Sequence, residues 1–502
     1  MKNTAHSFLV VTGFSIATRL ASFIFKMWMS RSLGAEIVGV YQIALSVLLM
    51  LFTVTAGAPT VLSRKVAEAG VTGDTKRQNA LLTASVIMGL TVSSVICGVL
   101  YALGNKISFL FSNPNSLPLF FIMLPTLITS TLYASLRSWF WGRKKFVAFS
   151  STELIDEIVK IILSIVFAGG FVGSLSGATG IALALTVSDA FCVLVLAIIF
   201  FATGGRFKKP QGFKELTRGT IPLSATRIIT SLGASLTAFV IPQMLVKSGL
   251  TIAQATAEYG RVAGMALPLI MAPVTFIGAL AIVLIPDVAS LRSQGDTGAL
   301  RTKLSTCVTF GTVVACFFFS LYLPLGTALG KLLFGDEKAG AFVSYCSMML
   351  FPIAAAQATT PMLNSLGKEK NTLLHTLIGA IAMIPCIVFM PKYIGIYSMA
   401  LASGLCFLII AIANFIVLKK EVGSFFDGKK NCTLILLSIL LAVGAMFLSR
   451  LLRFYANDIT AIAVVGVYVT FLFFVFANAF DIIDIVGCAR LIIPKKAKVV
   501  KK

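Results

Sequence analysis

Charged residues are scarce in this sequence. Only 12% of its 502 residues are Asp, Glu, Lys or Arg, about half of the roughly 25% typical of soluble globular proteins. Apolar residues make up 58% of the chain, and they occur in runs too long for a soluble core to absorb. The composition therefore argues against a soluble enzyme or a nucleic-acid-binding domain and indicates a protein that crosses a membrane many times.

Residues that bind metals or nucleotides are also few. The only histidines are His6 and His375, and the nine cysteines are scattered without a C-x-x-C spacing. The nearest match to a phosphate-binding loop, at 326–331, is one residue too short. We therefore expect no catalytic residues, no metal site and no cofactor.

Long apolar segments are the main feature that is present. Each must be a helix, because lipid offers no water to satisfy exposed backbone groups. The sequence thus predicts an all-α polytopic membrane protein of about fourteen transmembrane helices. They lie near 7–30, 37–62, 79–104, 117–136, 151–170, 177–203, 219–247, 257–286, 304–333, 339–366, 372–391, 393–419, 431–452 and 459–487.

The distribution of Lys and Arg predicts the orientation. If the N-terminus is cytoplasmic, 29 of the 42 basic residues fall on the cytoplasmic side and 8 on the outer side, and the other five lie inside spans. Such a bias is typical of positive-inside topology, with both termini in the cytoplasm. It also explains most of the net charge of +23 without a nucleic-acid partner.

The first twelve spans read as two copies of six. Ala-Thr-Arg at 17–19 opens span 1 and recurs at 225–227 in span 7, and a Gly-Lys/Arg-rich tetrapeptide follows both span 4 and span 10. Parallel repeats of this kind place a substrate site between two lobes that rock. We expect three parts, which are an N-terminal six-helix lobe over 1–205, a second six-helix lobe over 206–420, and a two-helix hairpin with a basic cytoplasmic tail over 421–502.

Span 1 carries a polar stripe. Its members recur at helical spacing and share one face; they are Thr12, Ser15, Arg19, Ser22, Lys26 and Ser30. Arg19 lies about 12 residues into the span, about 18 Å deep at 1.5 Å per residue. A charge at that depth costs a few kcal/mol unless it faces water or a partner. The stripe therefore either lines a hydrated cavity or bonds to neighbouring helices.

Two other arginines are candidate anion-binding residues. Arg227 is the repeat counterpart of Arg19, and two such guanidinium groups in matched lobes would bind phosphate oxygens through paired hydrogen bonds. An intramembrane salt bridge is the alternative for Arg227. Arg261 follows Glu258 by three residues, so these two side chains are expected either to neutralise each other or to leave Arg261 free for substrate.

Acidic residues near the middle of spans are candidates for ion coupling. Asp189 is the only acid near the centre of a span, and it would carry a coupling proton or sodium ion, or pair with Arg19. Glu153 is a second candidate, although Ser150 and Glu153 also fit a capping box that opens span 5.

The opening of the chain resembles a known family. The matching segments are Thr-Arg-Leu at 18–20, Ser-Arg-Ser-Leu-Gly-Ala at 30–35, Gly-Val-Tyr-Gln at 39–42, Gly-Ala-Pro at 57–59 and Ser-Arg-Lys-Val-Ala-Glu at 63–68. They are similar to the stage V sporulation protein B family, within the multidrug/oligosaccharidyl-lipid/polysaccharide flippase superfamily. The two lobes plus two extra helices also resemble the lipid II flippases of that superfamily.

The resemblance implies a V-shaped, alternating-access flippase in the bacterial plasma membrane. It implies a lipid-linked saccharide diphosphate as cargo, with membrane lipids and cell-wall synthesis enzymes as partners. Arg19, Arg31 and Arg261 match arginines of the lipid II flippases. Where those flippases have a second arginine in the first helix, near Phe25, the nearest base in this chain is Lys26, and their acidic residue early in span 2 is absent.

Three functions compete on these grounds. The first is a flippase for a peptidoglycan precursor or a related polysaccharide unit, with substrate contacts from Arg19, Lys26, Arg31, Arg227 and Arg261. The second is a proton- or sodium-coupled exporter of cationic drugs, and the third is a scaffold for cell-wall enzymes. Because bases outnumber acids deep in the spans, we expect a transporter of an anionic headgroup and not an enzyme.

Overall fold

The computed structural model describes residues 2–169, 177–452 and 457–480, and these ranges contain helices and no strand. The first half of the chain forms α1 (Lys2–Thr55), α2 (Gly57–Val71), α3 (Thr75–Leu103), α4 (Ser116–Met123), α5 (Thr126–Gly142), α6 (Phe146–Ala168), α7 (Gly177–Ala202), α8 (Phe213–Lys247) and α9 (Ile252–Gly260). The second half forms α10 (Leu267–Met271), α11 (Val274–Gln294), α12 (Thr297–Phe334), α13 (Glu337–Cys346), α14 (Leu350–Ser365), α15 (Glu369–Phe389), α16 (Pro391–Ile394), α17 (Ser398–Val422), α18 (Gly428–Leu452) and α19 (Asp458–Ala479). The all-α membrane fold is confirmed.

Within the described residues, ten helices are long and apolar enough to cross a membrane, or eleven when a bent pair around 272–273 counts as one span. The continuous stretch Gly13–Val71 has 59 residues, about 88 Å at 1.5 Å per residue and nearly three times a hydrocarbon core. It is therefore too long for a single span, and Gly34 leaves the helical conformation within it (φ 80°, ψ 169°). The count of fourteen stays a prediction.

The described residues divide into two compact units. Those within Met1–Pro268 and Ala380–Ala402 form the N-terminal unit, and those within Leu269–Gly379 and Ser403–Lys502 form the C-terminal unit. These units group residues by contact, whereas the lobes over 1–205 and 206–420 follow the sequence repeat. The repeat-based division therefore stays a prediction about the chain's internal symmetry.

An aromatic cluster fixes one end of the N-terminal unit. Trp139 and Phe140 of α5 are fully buried against Phe149 of α6 and Phe200 of α7, together with aliphatic side chains of α2 and α3. The indole nitrogen of Trp139 donates to Asn79 Oδ1 at 3.1 Å, so its polar group is satisfied inside the cluster. Because aromatic rings of this size dominate packing energies, the ends of α5, α6 and α7 are held in fixed register.

The same unit contains a close helix–helix approach between α1 and α9. A Cβ atom on Gly39 would lie 2.1 Å from the carbonyl oxygen of Thr256, and one on Gly260 would lie 2.1 Å from that of Ala35. The Thr256 hydroxyl also accepts a hydrogen bond from Asn113 Nδ2 at 2.9 Å. Only glycine allows the two backbones to meet in this way, as in other membrane helix pairs.

In the C-terminal unit, α12 is the central helix. It packs against α13, α14, α18 and α19, and a Cβ atom on Gly330 of α12 would lie 2.2 Å from the Cα of Gly340 in α13. Ser320 of α12 donates to the carbonyl of Ser438 in α18 at 3.0 Å. The two helices of the segment after residue 421 therefore pack on α12 as a pair.

We expect Gly39→Ala to destabilise the protein, because the new methyl group would press on the backbone of Thr256. Overpacking of this kind costs about 1–3 kcal/mol and would appear as a lower unfolding temperature in detergent. The matched control is Gly98→Ala in α3, where a Cβ would meet nothing within 4 Å. Equal unfolding temperatures for the two variants would contradict the close approach of α1 and α9.

Candidate functional site

A polar cavity of about 480 Å³ lies among four helices of the N-terminal unit. Its walls come from α1, α5, α6 and α7, and most of its lining side chains are charged or carry hydroxyl groups. They are Ser15, Thr18, Arg19, Tyr133, Arg137, Glu153, Asp156, Glu157, Asp189 and Cys192. We call this space the N-unit cavity; it is the candidate site.

Helical spacing explains why these residues meet. Ser15 and Arg19 are four residues apart on α1, and Tyr133 and Arg137 have the same spacing on α5. Glu153, Asp156 and Glu157 recur at three and four residues on α6, which places them on one face. Three helices thus direct a polar face toward the same space.

Residues of the predicted polar stripe of span 1 lie in two environments: some line the cavity and others contact neighbouring helices. Ser15 and Arg19 line the N-unit cavity, whereas the buried Ser30 hydroxyl donates to Met265 Sδ at 3.1 Å. Lys26 is part-buried and does not line the cavity. The side chain of Thr12 lies outside the described residues.

Arg19 is the exposed base of this cavity. Among the residues that the structure describes, it has no ion pair or hydrogen bond. The expectation that Asp189 pairs with Arg19 therefore finds no supporting bond, although both side chains line the cavity. The guanidinium keeps its donors available to a ligand.

The acids of the cavity have different partners. Glu153 Oε1 forms an ion pair with Arg137 Nη2 at 2.8 Å, and Asp189 Oδ2 accepts a hydrogen bond from the hydroxyl of Thr129. Two buried carboxylate oxygens, Asp156 Oδ1 and Glu157 Oε1, have no hydrogen-bond partner among the described residues. Because a buried acceptor without a partner is costly, a bound proton or a small cation would stabilise this wall.

A second ion pair lies behind the acidic wall. Lys160 Nζ binds Glu157 Oε2 at 2.5 Å, and both side chains are largely buried, at 15% and 9% exposure. Lys160 also lies 5.6 Å from the ring centre of Phe25, and Lys26 is close enough to Glu157 to attract it electrostatically. Removing one partner of such a pair would leave a buried charge and cost about 3–5 kcal/mol, so we assign these lysines to the acids rather than to a ligand.

Three of the predicted arginines lie elsewhere. Arg227 of α8 donates to the carbonyl of Ala56 and to Thr60 Oγ1, both at 2.9 Å, where α1 gives way to α2. Arg261 donates to Glu258 Oε1 at 2.9 Å, as the neutralising alternative predicts, and it begins a π-helical turn over 261–266. Arg31 is exposed, three residues before Gly34.

Arg137 is the basic residue of the site that sequence analysis missed, and the lining residues Tyr133, Asp156, Glu157 and Cys192 were not candidates either. The predicted end of span 4 at residue 136 left Arg137 in a cytoplasmic loop, but α5 continues to Gly142. The helix extends because Trp139 and Phe140 pack into the aromatic cluster. The one available signal was the four-residue spacing between Tyr133 and Arg137.

The expected capping box at the start of span 5 is wrong. Helix α6 begins at Phe146, so Ser150 and Glu153 lie inside it and cannot cap it. Phe146 and Phe149 pack on Trp141, with ring centres 5.5 and 5.1 Å away, and this packing draws the helix start one turn earlier. Glu153 is therefore a residue of the cavity wall.

The C-terminal unit has a larger and mainly apolar groove of about 1110 Å³. It runs along α12 and is closed by the segment 424–427 and by α18 and α19. Its walls include Phe310, Phe317, Phe318, Phe425, Phe426, Phe473 and Phe474. Polar side chains at one end, Arg301, Asp427 and Lys430, give the groove a charged mouth.

Comparison with known proteins places the chain among membrane proteins of polysaccharide synthesis. Residues 4–292 match the family described as polysaccharide biosynthesis protein. Stage V sporulation protein B of Bacillus subtilis (strain 168) is 23% identical over 414 residues, which cover 74% of this chain and 75% of that protein.

Solved structures share the fold. The lipid II flippase MurJ in an inward closed conformation has a TM-score of 0.73 at 13% identity, covering 93% of this chain and 99% of that one. An inward-facing multidrug resistance MATE family transporter of the MOP superfamily has a TM-score of 0.69 at 12% identity, covering 83% of this chain and 98% of that one. At such identities the likeness extends to the fold alone.

Proposed function

Because the chain belongs to the polysaccharide biosynthesis protein family, we propose that it is a flippase. Its cargo is a lipid-linked saccharide diphosphate, either a peptidoglycan precursor or a related polysaccharide unit. The protein moves this cargo from the inner to the outer leaflet by alternating access. It lies in the bacterial plasma membrane with both termini in the cytoplasm. Cell-wall synthesis enzymes supply the cargo on the inner side and use it on the outer side.

The observation that carries the proposal is Arg19 in the N-unit cavity. It is exposed to the cavity, and no described acid neutralises it. A charge held inside a membrane span costs a few kcal/mol or more, so its retention calls for an anionic ligand. A diphosphate offers oxygen atoms at the spacing that a guanidinium binds in pairs.

The apolar groove supports a lipid-linked cargo. Its aromatic walls and volume of about 1110 Å³ suit a hydrocarbon chain rather than a sugar. Burial of apolar area contributes about 25 cal/mol per Å², so this groove by itself would favour binding of a hydrocarbon chain. A soluble anion would gain nothing from it.

Arg31, Arg227 and Arg261 remain proposed contacts of a weaker kind, whereas the position of Lys26 beside Glu157 makes the predicted contact from Lys26 the weakest. Arg227 and Arg261 each have a protein partner, so a substrate would have to replace or share those bonds. Such an exchange is compatible with a carrier that changes conformation, because Arg227 and Arg261 would have different protein partners in its other conformation.

A cation exporter of the same superfamily is the second candidate function. It is favoured by the four carboxylates that line the N-unit cavity, from Glu153, Asp156, Glu157 and Asp189. Two of them already bind a base, Glu153 to Arg137 and Glu157 to Lys160. We propose that the acids of this wall serve ion coupling, with Asp189 as the principal residue and Glu153 in a supporting role.

Arg19→Ala is expected to abolish flipping while the protein stays folded and inserted, because the cavity loses its available guanidinium. Arg19→Lys should rescue only in part, since one ammonium group cannot form paired bonds to phosphate. Arg227→Ala and Arg227→Lys should follow the same order if Arg227 is the matched base. The measurement is complementation of a depleted strain together with the lipid-linked precursor that accumulates inside; full activity of Arg19→Ala would contradict the proposal.

We also expect the membrane potential to drive transport. A diphosphate headgroup carries roughly two negative charges, and each contributes about 2.3 kcal/mol per 100 mV, so an inside-negative potential favours outward movement. Collapsing the potential with a potassium ionophore at constant pH gradient should slow flipping in vesicles. If only the pH gradient matters, the electrogenic mechanism is wrong and Asp189 becomes the coupling residue to test.

A further inference from the structure

We propose that Arg137 is a second anion-binding residue of the N-unit cavity and that Glu153 holds its guanidinium until a phosphate displaces it. The inference rests on the proposed function and deepens it, because it specifies a two-arginine site for the anionic part of the cargo. Arg19 and Arg137 come from different helices, α1 and α5, and line the same space.

Arg137 can exchange Glu153 for another anionic partner at a small cost in free energy. Arg137 and Glu153 keep 40% and 29% exposure, whereas Lys160 and Glu157, on the adjoining wall, keep only 15% and 9%. A pair that is open to solvent contributes little to stability, about 0–1 kcal/mol. A phosphate in the cavity can therefore replace Glu153 at small cost, while the Lys160–Glu157 pair stays closed.

The guanidinium of Arg137 has N–H donors that the contact with Glu153 does not use. The ion pair with Glu153 joins Nη2 to Oε1 at 2.8 Å, and an arginine side chain has five N–H donors. The remaining donors leave room for paired bonds to a phosphate, which a single carboxylate contact does not occupy.

A fixed aromatic surface orients this side chain. The guanidinium carbon lies 5.1 Å from the ring centre of Phe149, and Phe149 is buried in the aromatic cluster at 1% exposure. Stacking on a ring that cannot move limits the loss of side-chain freedom when a ligand binds. Arg137 is therefore positioned on one face by Phe149 and bound at one nitrogen by Glu153.

Competition between Glu153 and the ligand predicts the direction in which anion affinity changes when Glu153 is removed. If Glu153 competes with phosphate for Arg137, its removal should strengthen anion binding. If the ion pair has only a structural role, removal of Glu153 would weaken anion binding or leave it unchanged. The increase in anion affinity should also disappear in a variant that lacks Arg137, because Glu153 acts on the anion through Arg137.

The experiment is a calorimetric titration of the purified full chain in nanodiscs with geranylgeranyl diphosphate. We expect Arg137→Gln to weaken binding about tenfold, as for a lost charge-assisted bond. We expect Glu153→Gln to tighten binding about threefold, in line with an exposed ion pair, and Arg137→Gln/Glu153→Gln to bind like Arg137→Gln. The unfolding temperature of each variant reports whether it is folded.

Arg143→Gln is the matched control. Arg143 ends the same helix and also stacks on a ring of the aromatic cluster, 4.4 Å from the centre of Trp139, but it does not line the N-unit cavity. Arg143→Gln should keep the affinity for the diphosphate within about twofold of the wild-type value. If loss of positive charge in general weakens binding, Arg143→Gln and Arg137→Gln would lose affinity to the same extent.

The outcomes separate this inference from the proposed function. If Arg19→Gln abolishes binding while Arg137→Gln and Glu153→Gln leave it unchanged, the two-arginine site is wrong and the flippase proposal stands. Weaker binding by folded Glu153→Gln would also overturn the inference, because Glu153 would then support the ligand. If the wild-type protein binds no diphosphate, both proposals fail.

Discussion

The cost of a bare charge inside a membrane is the constraint on which this structure depends. Arg19 lies within a transmembrane helix and forms no ion pair with a described acid, so the helices around it must supply a polar space. They do so with hydroxyl groups and with a wall of carboxylates from α6 and α7. The polar faces of three helices and the cavity they enclose all follow from the need to keep that guanidinium away from lipid.

The cavity combines bases and acids without neutralising all of them. Lys160 and Arg137 bind two of the acids, at 2.5 and 2.8 Å, which leaves Arg19 on one wall and Asp156 and Asp189 on the others. An anion at Arg19 and a proton or small cation at the acids would balance one another. The two proposed functions, flippase and cation exporter, therefore call on different walls of the same space.

The placements and contacts that depend on local helical spacing were predictable from the sequence. The four-residue step from Ser15 to Arg19 placed both on one face, and the three-residue step from Glu258 to Arg261 gave the observed ion pair at 2.9 Å. Arg137 and the start of α6 were not predictable in this way. Both depend on how Trp139, Phe149 and their aromatic neighbours pack across helices, and a hydropathy profile does not contain that information.

The most direct measurement is a comparison of two cargoes with the full chain reconstituted in sealed vesicles under an inside-negative potential. One is a fluorescent saccharide linked to a polyprenyl diphosphate, followed by its appearance in the opposite leaflet, and the other is an organic cation such as ethidium. The account predicts that the protein accelerates movement of the lipid-linked diphosphate well above protein-free vesicles and leaves the cation flux unchanged. Acceleration of the cation alone, with no movement of the diphosphate lipid, would contradict it.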